Sequence, residues 1–497
     1  MKRIAMLLLL LLIAVPVAYS ADSSLVLAEI LAKKGVITAD QRDQVERAGP
    51  EGAARILAGM LLEKGLLTPA EAARVDGGAN RTGDRIGAPN AAATIVNASL
   101  VQPPQTASQL TSPPPSSPAV TTQSKLPLSL YGTILLNSFY NTGPVNIEDV
   151  PVLSAKRGTD PFENFGMTAR QTRLGLRYQG AAVAGGKLSG QVEIDLFGGK
   201  AALPNGINFD IVRLRLAYGR VDWKNFSLVA GQDWSIFAPL NPTSLAGFSI
   251  PDFSASGNPW IRTPQLRAEL RHTFSEKASM QWQIAATDPN VGDNPSVFQT
   301  IRTPGIGEHG RMPGIDSRLS FTSRIQGGDA TVALSSHYNR GKNLGTIGNV
   351  AADRSVDSWG VAADYMLPLH KRFSLTGELY EGRALGIFSA SLGQAVLPVG
   401  TRGEHGVETR GGWAQAQFNI AARWQANLGY GLEAPDASEL RTGDRSKNQT
   451  YMTNIMFKIS PALTFAWEWR RFLTSYRNQP PANDISDQAN MAVGYTF

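Results

Sequence analysis

The chain contains no cysteine among its 497 residues and only five histidines. Without cysteine there can be no disulfide framework, no thiol catalysis and no cysteine-liganded metal site. The histidines are scattered, and none forms the HExxH pattern of a zinc hydrolase. GxSxG elbows and Walker loops are also missing. We therefore expect a non-enzyme with no catalytic residue, no metal site and no cofactor, and we interpret the recurring Glu-His-Gly triplets at 308–310 and 404–406 as chance.

Long apolar runs are missing everywhere except at the start of the chain. Lys2 and Arg3 precede an apolar run over residues 4–17, and the small residues Ala18 and Ser20 follow it. This pattern predicts a secretory signal peptide at residues 1–20, because the run is too short for a comfortable transmembrane helix. No later stretch approaches the roughly 20 apolar residues that a spanning helix needs. An exported chain of this kind is either soluble or a β-barrel.

A large excess of one charge is also missing. Removing Lys2 and Arg3 with the signal peptide lowers the net charge from +6 to +4. An excess this small, spread over a long exported chain, does not favour nucleic-acid binding. The hydrophobic content of 42% is ordinary for a soluble protein, and it also fits a barrel, in which only alternate strand residues face lipid.

Two short regions precede the main part of the chain. Within residues 21–75, a predicted helical repeat module, the segment 27–45 realigns with 57–75 at a period of 30. Each copy has an apolar helix that stops at Lys-Gly, followed by Thr38 or Thr68 as the N-cap of a second helix. Residues 76–124 are rich in Pro, Ser, Thr and Ala and cannot bury enough apolar surface to fold, so a linker is predicted.

Residues 125–497 are predicted to form one long series of strands. Period-two alternation places sixteen of them at roughly 128–140, 169–180, 186–197, 209–223, 225–235, 262–274, 278–287, 312–323, 329–340, 355–366, 372–384, 410–418, 423–433, 449–459, 462–474 and 487–497. Their connections alternate long and short, as in transmembrane barrels with tight periplasmic turns and longer outer loops. The predicted fold is all-β, a sixteen-stranded antiparallel transmembrane β-barrel with a small N-terminal helical periplasmic module.

Charged residues stand at alternate positions on these strands. On two of them the predicted outward set is Leu174, Leu176, Tyr178, Val212, Leu214, Leu216 and Tyr218. The predicted inward set is Arg173, Gly175, Arg177, Arg213, Arg215 and Ala217. A charge facing lipid at the midplane would cost roughly 2–4 kcal/mol, so the charged face is predicted to line a wet interior.

The last strand ends the chain on an aromatic residue. In NMAVGYTF, Met491, Val493, Tyr495 and Phe497 share one face. One interpretation is the half-buried last strand of a soluble sheet. The other is the closing strand of an outer-membrane barrel, with Tyr495 and Phe497 similar to the signal read by the bacterial barrel-assembly machinery, and the barrel pattern upstream favours the second.

Inward arginines concentrate in the early strands. The predicted channel-lining, anion-attracting set is Arg173, Arg177, Arg213, Arg215, Arg262, Arg267 and Arg271. A guanidinium can bind a planar carboxylate bidentately, and charged rings set channel selectivity. The alternative is a solvated wall of mixed charge, since inward acids are also predicted: Glu193, Asp195, Glu269, Asp364, Glu378 and Glu468.

The third long loop, residues 236–261, is nearly uncharged. Asp252 is its only ionisable residue, and it contains four prolines, including Pro242. A loop bathed in water would normally carry more charge, so we expect it to fold into the barrel mouth as a constriction, with Pro242, Asp252 and Phe253 as its marker residues. The alternative is a loop packed on a neighbouring subunit or loop.

Five segments together resemble the DcaP-like family of outer-membrane porins. They are RQTRLGLRYQG (170–180), GQVEIDLFGG (190–199), RLRLAYGRVDW (213–223), LVAGQDWSIF (228–237) and RTPQLRAEL (262–270). The resemblance implies a sixteen-stranded homotrimeric channel for small anionic solutes such as dicarboxylates, with Arg173, Arg177, Arg213, Arg215 and Arg267 in that role. The N-terminus departs from the coiled coil that family members often have.

The predicted function is passive diffusion of small hydrophilic, anionic solutes across the outer membrane of a Gram-negative bacterium. The expected partners are outer-membrane lipid and lipopolysaccharide, the solutes, the assembly machinery and two further copies of the chain, with no nucleic acid. The alternative is a structural anchor whose N-terminal module binds peptidoglycan or a periplasmic partner.

Overall fold

The computed structural model describes two parts of the chain. The first is residues 28–64 without 30 and 33–36, and the second is residues 128–497 without 159–161, 203–207, 294–296, 299–300, 326–327, 344–345, 348–349, 352–353 and 399–403. The chain divides into two units, Met1–Pro89 and Asn90–Phe497. The predicted signal peptide, the linker, the Lys34-Gly35 stop, Gly65 and the Thr68 cap lie outside the described residues.

The described part of the first unit includes the helices α1 (Ala39–Arg47) and α2 (Gly49–Glu63). Thr38 caps α1 as the sequence predicts, because its Oγ1 accepts from the Gln41 N–H at 3.2 Å while Gln41 Oε1 accepts from the Thr38 N–H at 3.0 Å. The helices bury a small apolar core of their own, which consists of Ala28, Leu31, Ile37, Val45, Ala53, Leu57, Met60 and Leu61. Among the described residues, no helix is long and apolar enough to cross a membrane.

The second unit is a closed antiparallel barrel. Its strands are β1 (Leu128–Asn141), β2 (Asn164–Thr168 and Arg173–Val183), β3 (Gly186–Asp195), β4 (Arg213–Asp222), β5 (Phe226–Trp234), β6 (Arg262–Ser275), β7 (Ala278–Thr287), β8 (Gly314–Ile325), β9 (Gly328–Asn339), β10 (Ser358–His370), β11 (Phe373–Arg383), β12 (Glu408–Ala421), β13 (Trp424–Pro435), β14 (Arg445–Lys458), β15 (Leu463–Tyr476) and β16 (Asp484–Thr496). Each strand pairs with the next, and β1 also pairs with β16. The sixteen-stranded fold class is confirmed.

The second strand is interrupted. Both of its parts pair with β1, so Asn164–Thr168 and Arg173–Val183 occupy one position in the barrel. Between them the chain turns at residues 169–172, where the Thr172 N–H donates to the Ala169 carbonyl at 3.0 Å. The sequence analysis places a single strand from 169 and misses the first part, although Phe165 and Met167 alternate with polar or small residues in NFGMT; five residues are a short signal within a long loop.

The first and last strands, β1 and β16, pair with each other at a seam, so neither is an unpaired edge strand. Its register runs from Thr133 opposite Thr496 to Asn141 opposite Gln488. Beyond it, Phe497 exchanges two backbone hydrogen bonds with Gly132, at 3.0 and 3.1 Å. The last residue therefore completes the ladder, as a barrel in lipid requires.

Side chains on the wall alternate as expected, with one exception. Leu174, Leu176, Val212 and Leu214 are exposed on the outer face, whereas Arg173 and Arg215 are buried. The prediction that Leu216 and Tyr218 face outward is wrong. On β4, Leu214 lies opposite Ile194 of β3 and Leu216 lies opposite Glu193, the next residue along β3. Arg215 therefore has no partner in the ladder and forms a β-bulge.

The bulge reverses the alternation beyond Arg215. Leu216 is only 6% exposed, and the Tyr218 hydroxyl donates to Gln191 Oε1 at 3.3 Å. Two consecutive residues, Arg215 and Leu216, are consequently turned away from lipid. Pattern-based analysis assumes one residue opposite one residue, and the sequence RLRLAY carries no sign of the extra one.

The connections alternate in length around the ring. Tight turns join β2 to β3, β4 to β5, β6 to β7 and the later hairpins at the end where Phe497 lies, and longer loops join the strands at the other end. The eight long loops are numbered in chain order, so the first joins β1 to β2, the second β3 to β4, the third (235–261) β5 to β6 and the sixth (384–407) β11 to β12. Small pieces within the long loops are Lys200–Ala202, Asn208–Asp210, Val297–Phe298, Ile301–Arg302, Ile306–His309, Lys342–Asn343, Thr346–Ile347, Val350–Ala351, Arg354–Ser355, Gly386–Phe388, Ser391–Gly393, Val396–Pro398, Glu404–Gly406 and Ala437–Glu439.

We predict that Gly132→Ala destabilises the seam. A Cβ there would lie 2.5 Å from the Arg173 carbonyl oxygen and 2.8 Å from a ring carbon of Phe497. The first neighbour is backbone and cannot rotate away, so overpacking of about 1–3 kcal/mol is expected. The measurement is the temperature at which the folded barrel loses its fast gel mobility. Gly494→Ala is the matched control, since its nearest neighbours are side-chain atoms at 3.6 Å; equal stability of both variants would contradict the prediction.

We also predict that deleting residues 21–124 leaves a barrel that assembles. The two units separate before the first strand, and α1 and α2 have their own core. Heat-modifiable migration of the truncated protein, extracted from membranes, is the measurement. Its loss would show that the module is part of the barrel's fold.

Candidate functional site

The barrel interior carries a dense arginine cluster on β2 to β6. Arg213 and Arg215 lie at the start of β4 and share the carboxylate of Asp195 on β3. Arg213 Nε donates to Asp195 Oδ1 at 2.9 Å, and Arg215 Nη1 donates to Asp195 Oδ2 at 3.0 Å. Arg215 Nε also donates to Glu193 Oε1 at 2.6 Å. These two arginines are thus paired with wall carboxylates.

A second part of the cluster, on β4, β5 and β6, is a network with equal numbers of arginines and carboxylates. Arg267 on β6 donates to Asp233 on β5 at 2.8 Å and to Glu269 at 2.9 Å. Arg220 donates to Glu269 at 2.8 Å, and Arg271 lies 3.3 Å from both Asp222 and Glu269. Three arginines therefore meet three carboxylates. The predicted residues Arg267 and Arg271 belong to this network of mixed charge.

Arg173 and Arg177 differ from the other arginines. Neither forms an ion pair with a carboxylate in the described part of the chain. Arg173 is 9% exposed; its guanidinium stacks 3.6 Å above the Phe248 ring and donates to the Phe248 carbonyl. Arg177 stacks 4.1 Å from the centre of the Tyr131 ring. Both guanidiniums therefore contact an aromatic ring and are not directly paired with a carboxylate of the described wall.

Arg262 stands at the start of β6, at the end of the third loop. Its guanidinium carbon lies 5.5 Å from the Trp234 ring, and it is buried on the same side of the barrel as Arg213 and Arg215. All seven predicted arginines therefore lie on every second strand, β2, β4 and β6, of one side of the barrel.

Sequence analysis missed Arg170. Its guanidinium donates to both oxygens of Asp149 in the first loop, at 2.5 and 2.6 Å, and stacks 3.6 Å above Phe197 of the second loop. Side chains alternate between the two faces of a strand, and Arg173 faces inward. Arg170, three residues earlier, is therefore predicted to face outward. The turn at 169–172 reverses that alternation, and only a structure reveals it.

The third loop lies inside the barrel. Its first half follows the inner wall. Loop residues donate hydrogen bonds to four wall residues: Ser235 to Asp316 on β8, Leu240 to Glu378 on β11, Thr243 to Gln415 on β12 and Ser244 to Glu468 on β15. In a fifth bond the wall is the donor, from the Asn137 side chain on β1 to the Leu245 carbonyl. Its apolar residues Leu245 and Phe248 pack with Leu135, Met456, Ala466 and Ala492 of the wall. The loop therefore runs around the inside of the ring.

The second half of the third loop returns across strands β12 to β15. Asp252 forms a buried ion pair with Arg470 on β15 at 2.6 Å. Phe253 stacks on Trp413 of β12 at a centroid distance of 5.7 Å, and Ser256 Oγ lies 2.6 Å from Thr450 Oγ1 on β14. Pro242 is buried as well. All three predicted marker residues of the loop thus lie inside the barrel.

The wall from β8 to β15 also carries buried carboxylates. Arg318 forms a bidentate pair with Asp364 at 2.6 and 3.0 Å. Glu378, Glu433 and Glu468 are buried, and each accepts a hydrogen bond from a loop, namely from the Leu240 N–H, the Leu392 N–H and the Ser244 hydroxyl. These acids hold loops against the wall.

One histidine has neighbours like those of a hydrolase triad. His337 Nδ1 lies 2.6 Å from Asp316 Oδ1, and its Nε2 lies 3.1 Å from Ser358 Oγ. Ser358 is completely buried, and its hydroxyl donates to the Ala384 carbonyl at 3.0 Å. The group therefore ties β8, β9 and β10 to the sixth loop and presents no accessible nucleophile. Within the described ranges, no three acidic or histidine side chains come together as a metal site.

The barrel is similar to solved outer-membrane channels. The outer membrane channel DcaP of Acinetobacter baumannii matches with a TM-score of 0.57 at 17% identity, over 76% of this chain and 99% of that one. OmpF of Salmonella typhi (TM-score 0.46, 13% identity, 76% and 99% coverage) and OprB of Pseudomonas putida (0.46, 10%, 74% and 94%) are more distant. No family model and no curated relative matches the sequence.

At this identity the match with DcaP shows the fold. The chain has the architecture of an outer-membrane channel barrel, and the resemblance to DcaP-like porins is confirmed at that level. The path of the third loop and the ion pairs of the arginines are seen in the structure of this chain and do not depend on the match with DcaP.

We predict that Arg215→Ala destabilises the barrel much more than Arg177→Ala. Arg215 is 1% exposed and holds two carboxylates, and removing one partner of a buried pair costs about 3–5 kcal/mol. Removing Arg177 leaves no described carboxylate without its ion-pair partner. Loss of fast gel mobility with increasing temperature measures both variants, and equal stabilities would show that the Glu193 and Asp195 contacts contribute nothing.

Proposed function

We propose that the protein is an outer-membrane porin through which small hydrophilic solutes diffuse without catalysis. The observation that carries this proposal is the closed sixteen-stranded barrel with an apolar outer wall and a charged inner wall. A ring of this size encloses more space than wall side chains alone can fill. The long loops would face the cell exterior, and both ends of the chain would lie in the periplasm.

The solutes we propose are anionic. The arginine side, from the first loop to β6, carries ten arginines. Arg157 is exposed in the first loop, and the other nine are Arg170, Arg173, Arg177, Arg213, Arg215, Arg220, Arg262, Arg267 and Arg271. The carboxylates beside them number six: Asp149, Glu193, Asp195, Asp222, Asp233 and Glu269. The surplus of positive charge favours anions near this wall. This wall therefore carries both signs of charge, with arginines in excess over the carboxylates that pair with them.

Within this proposal the anion-attracting residues are Arg173 and Arg177, because no described carboxylate forms an ion pair with either of them. The third loop, marked by Pro242, Asp252 and Phe253, acts as the constriction. Tyr495, which is exposed on the outer face, and Phe497 at the seam serve as the assembly signal. Lipid and lipopolysaccharide cover the exposed apolar wall, and three copies form the channel unit.

A second candidate role belongs to the N-terminal unit. Its two helices form a core separate from the barrel, as a periplasmic module that binds peptidoglycan or a protein would. Conductance separates the two roles, because a pure anchor with a plugged barrel shows no ohmic steps in a planar bilayer.

We predict that Arg173→Gln/Arg177→Gln shifts the reversal potential in a salt gradient toward cations and slows uptake of a dicarboxylate. A change of about 1.4 kcal/mol in local free energy alters anion occupancy tenfold. At 1 M salt the difference should shrink, because charges are screened over roughly 3 Å.

Arg173→Lys/Arg177→Lys is the matched control, since it keeps both charges. It should keep the wild-type reversal potential. If the glutamine variant also keeps it at low salt, the arginine side is a solvated wall without influence on selectivity.

A further inference from the structure

The long-loop end of the barrel contains an apolar cluster built from four loops. We call it the lid: Val150, Val152, Leu153, Phe197, Ile250, Ala255, Trp260 and Leu392. The first three residues belong to the first loop, Phe197 to the second, the next three to the third and Leu392 to the sixth. All are buried, although loop residues at the mouth of a water-filled channel would be wet.

The lid reaches across the barrel. The second loop starts between β3 and β4, and the sixth starts between β11 and β12, so their roots are eight strands apart in a ring of sixteen. Those positions are on opposite sides of the ring. A single contiguous cluster with members from both loops must therefore cross the opening.

Polar contacts attach the lid to the wall at β14. The Asn448 side-chain amide donates to the Val152 carbonyl at 2.9 Å and to the Ala255 carbonyl at 2.8 Å. One wall residue therefore holds the first and the third loops together. Asn448 is completely buried and Thr450 nearly so, although both point toward the interior.

The closed position of the third loop is strained. Ala238, Phe253 and Ala255 have φ values of 45°, 64° and 56°, a left-handed region that residues with a Cβ rarely adopt. Such strain persists only where surrounding contacts impose it. Loosening those contacts should therefore favour release of the loop.

We propose that the lid closes the barrel in the arrangement seen here and that conduction requires the third loop to leave the wall at β14. This proposal rests on the proposed porin function. It makes the third loop a moving gate, whereas a fixed constriction would conduct with the loop in the position seen here.

The absence of cysteine allows a direct test of this movement. Ser256→Cys/Thr450→Cys replaces two hydroxyls that lie 2.6 Å apart, a separation close enough for a disulfide. In planar bilayers the oxidised variant of the full chain should show no single-channel steps, and dithiothreitol should restore them. Formation of the disulfide is checked by mass spectrometry before the recording.

The matched control is Thr322→Cys/Thr331→Cys. These hydroxyls lie 2.9 Å apart on the paired strands β8 and β9, so this disulfide joins wall to wall. Its oxidised and reduced forms should conduct alike, which shows that oxidation itself does not block the channel.

A second variant acts in the opposite direction. Asn448→Ala removes the amide that holds two loops and should raise the open fraction at a fixed voltage. Asn427→Ala is its control, because Asn427 donates to Asn454, another strand residue, at 2.6 Å. It should leave the open fraction at the wild-type level.

The outcomes separate the two proposals. Normal conduction by the oxidised Ser256–Thr450 variant, or an unchanged open fraction in Asn448→Ala, overturns the gate and leaves the porin function standing. Failure of the wild-type protein and of every reduced variant to conduct removes the porin function, and the gate with it.

Discussion

A sheet that spans a bilayer can leave no backbone group unpaired, and the rest of this structure depends on how that condition is met. The chain meets it at the seam, where β16 pairs with β1 and Phe497 exchanges two bonds with Gly132. The ring closes with sixteen strands, and the number of strands sets the width of the interior. Because one face of every strand then meets lipid, the charged residues are forced onto the other face. The arginine cluster is a consequence of closure as much as of function.

Burial changes what those arginines can do. Arg213 and Arg215 are predicted as free attractors of anions, yet each donates to Asp195 or Glu193 on the neighbouring strand. A buried guanidinium without a partner would cost several kcal/mol, so acids must accompany most of the arginines. In the proposed channel, selectivity would then depend on the few arginines that form no ion pair with a described carboxylate. Arg173 and Arg177 are such arginines, and Arg173 binds a loop carbonyl where a solute could bind.

Most of the wall could be predicted from sequence, because alternation with period two and short hairpin turns are local properties. All sixteen predicted strands overlap observed ones, and the inward side of Arg173, Glu193 and Glu378 follows from the same rule. Prediction fails where one residue is added or the strand is interrupted. The bulge at Arg215 turned Leu216 and Tyr218 inward, and the turn at 169–172 brought Arg170 to Asp149. Ion-pair partners and the path of the third loop depend on contacts between distant residues, such as Asp252 with Arg470, and no local pattern encodes them.

The low charge of the third loop now has a physical explanation. A segment that lies against an inner wall must offer apolar side chains or backbone groups to the residues it covers, since each additional buried charge would need its own partner. The loop contains one ionisable residue, Asp252, and that residue is paired with Arg470. The wall supplies the complementary groups, because Glu378, Glu468 and Asn448 accept from or donate to loop atoms. Those groups would be hydrated if the loop moved away, so water can replace the loop at each of them. This exchange makes a polar inner wall compatible with both a closed and an open barrel.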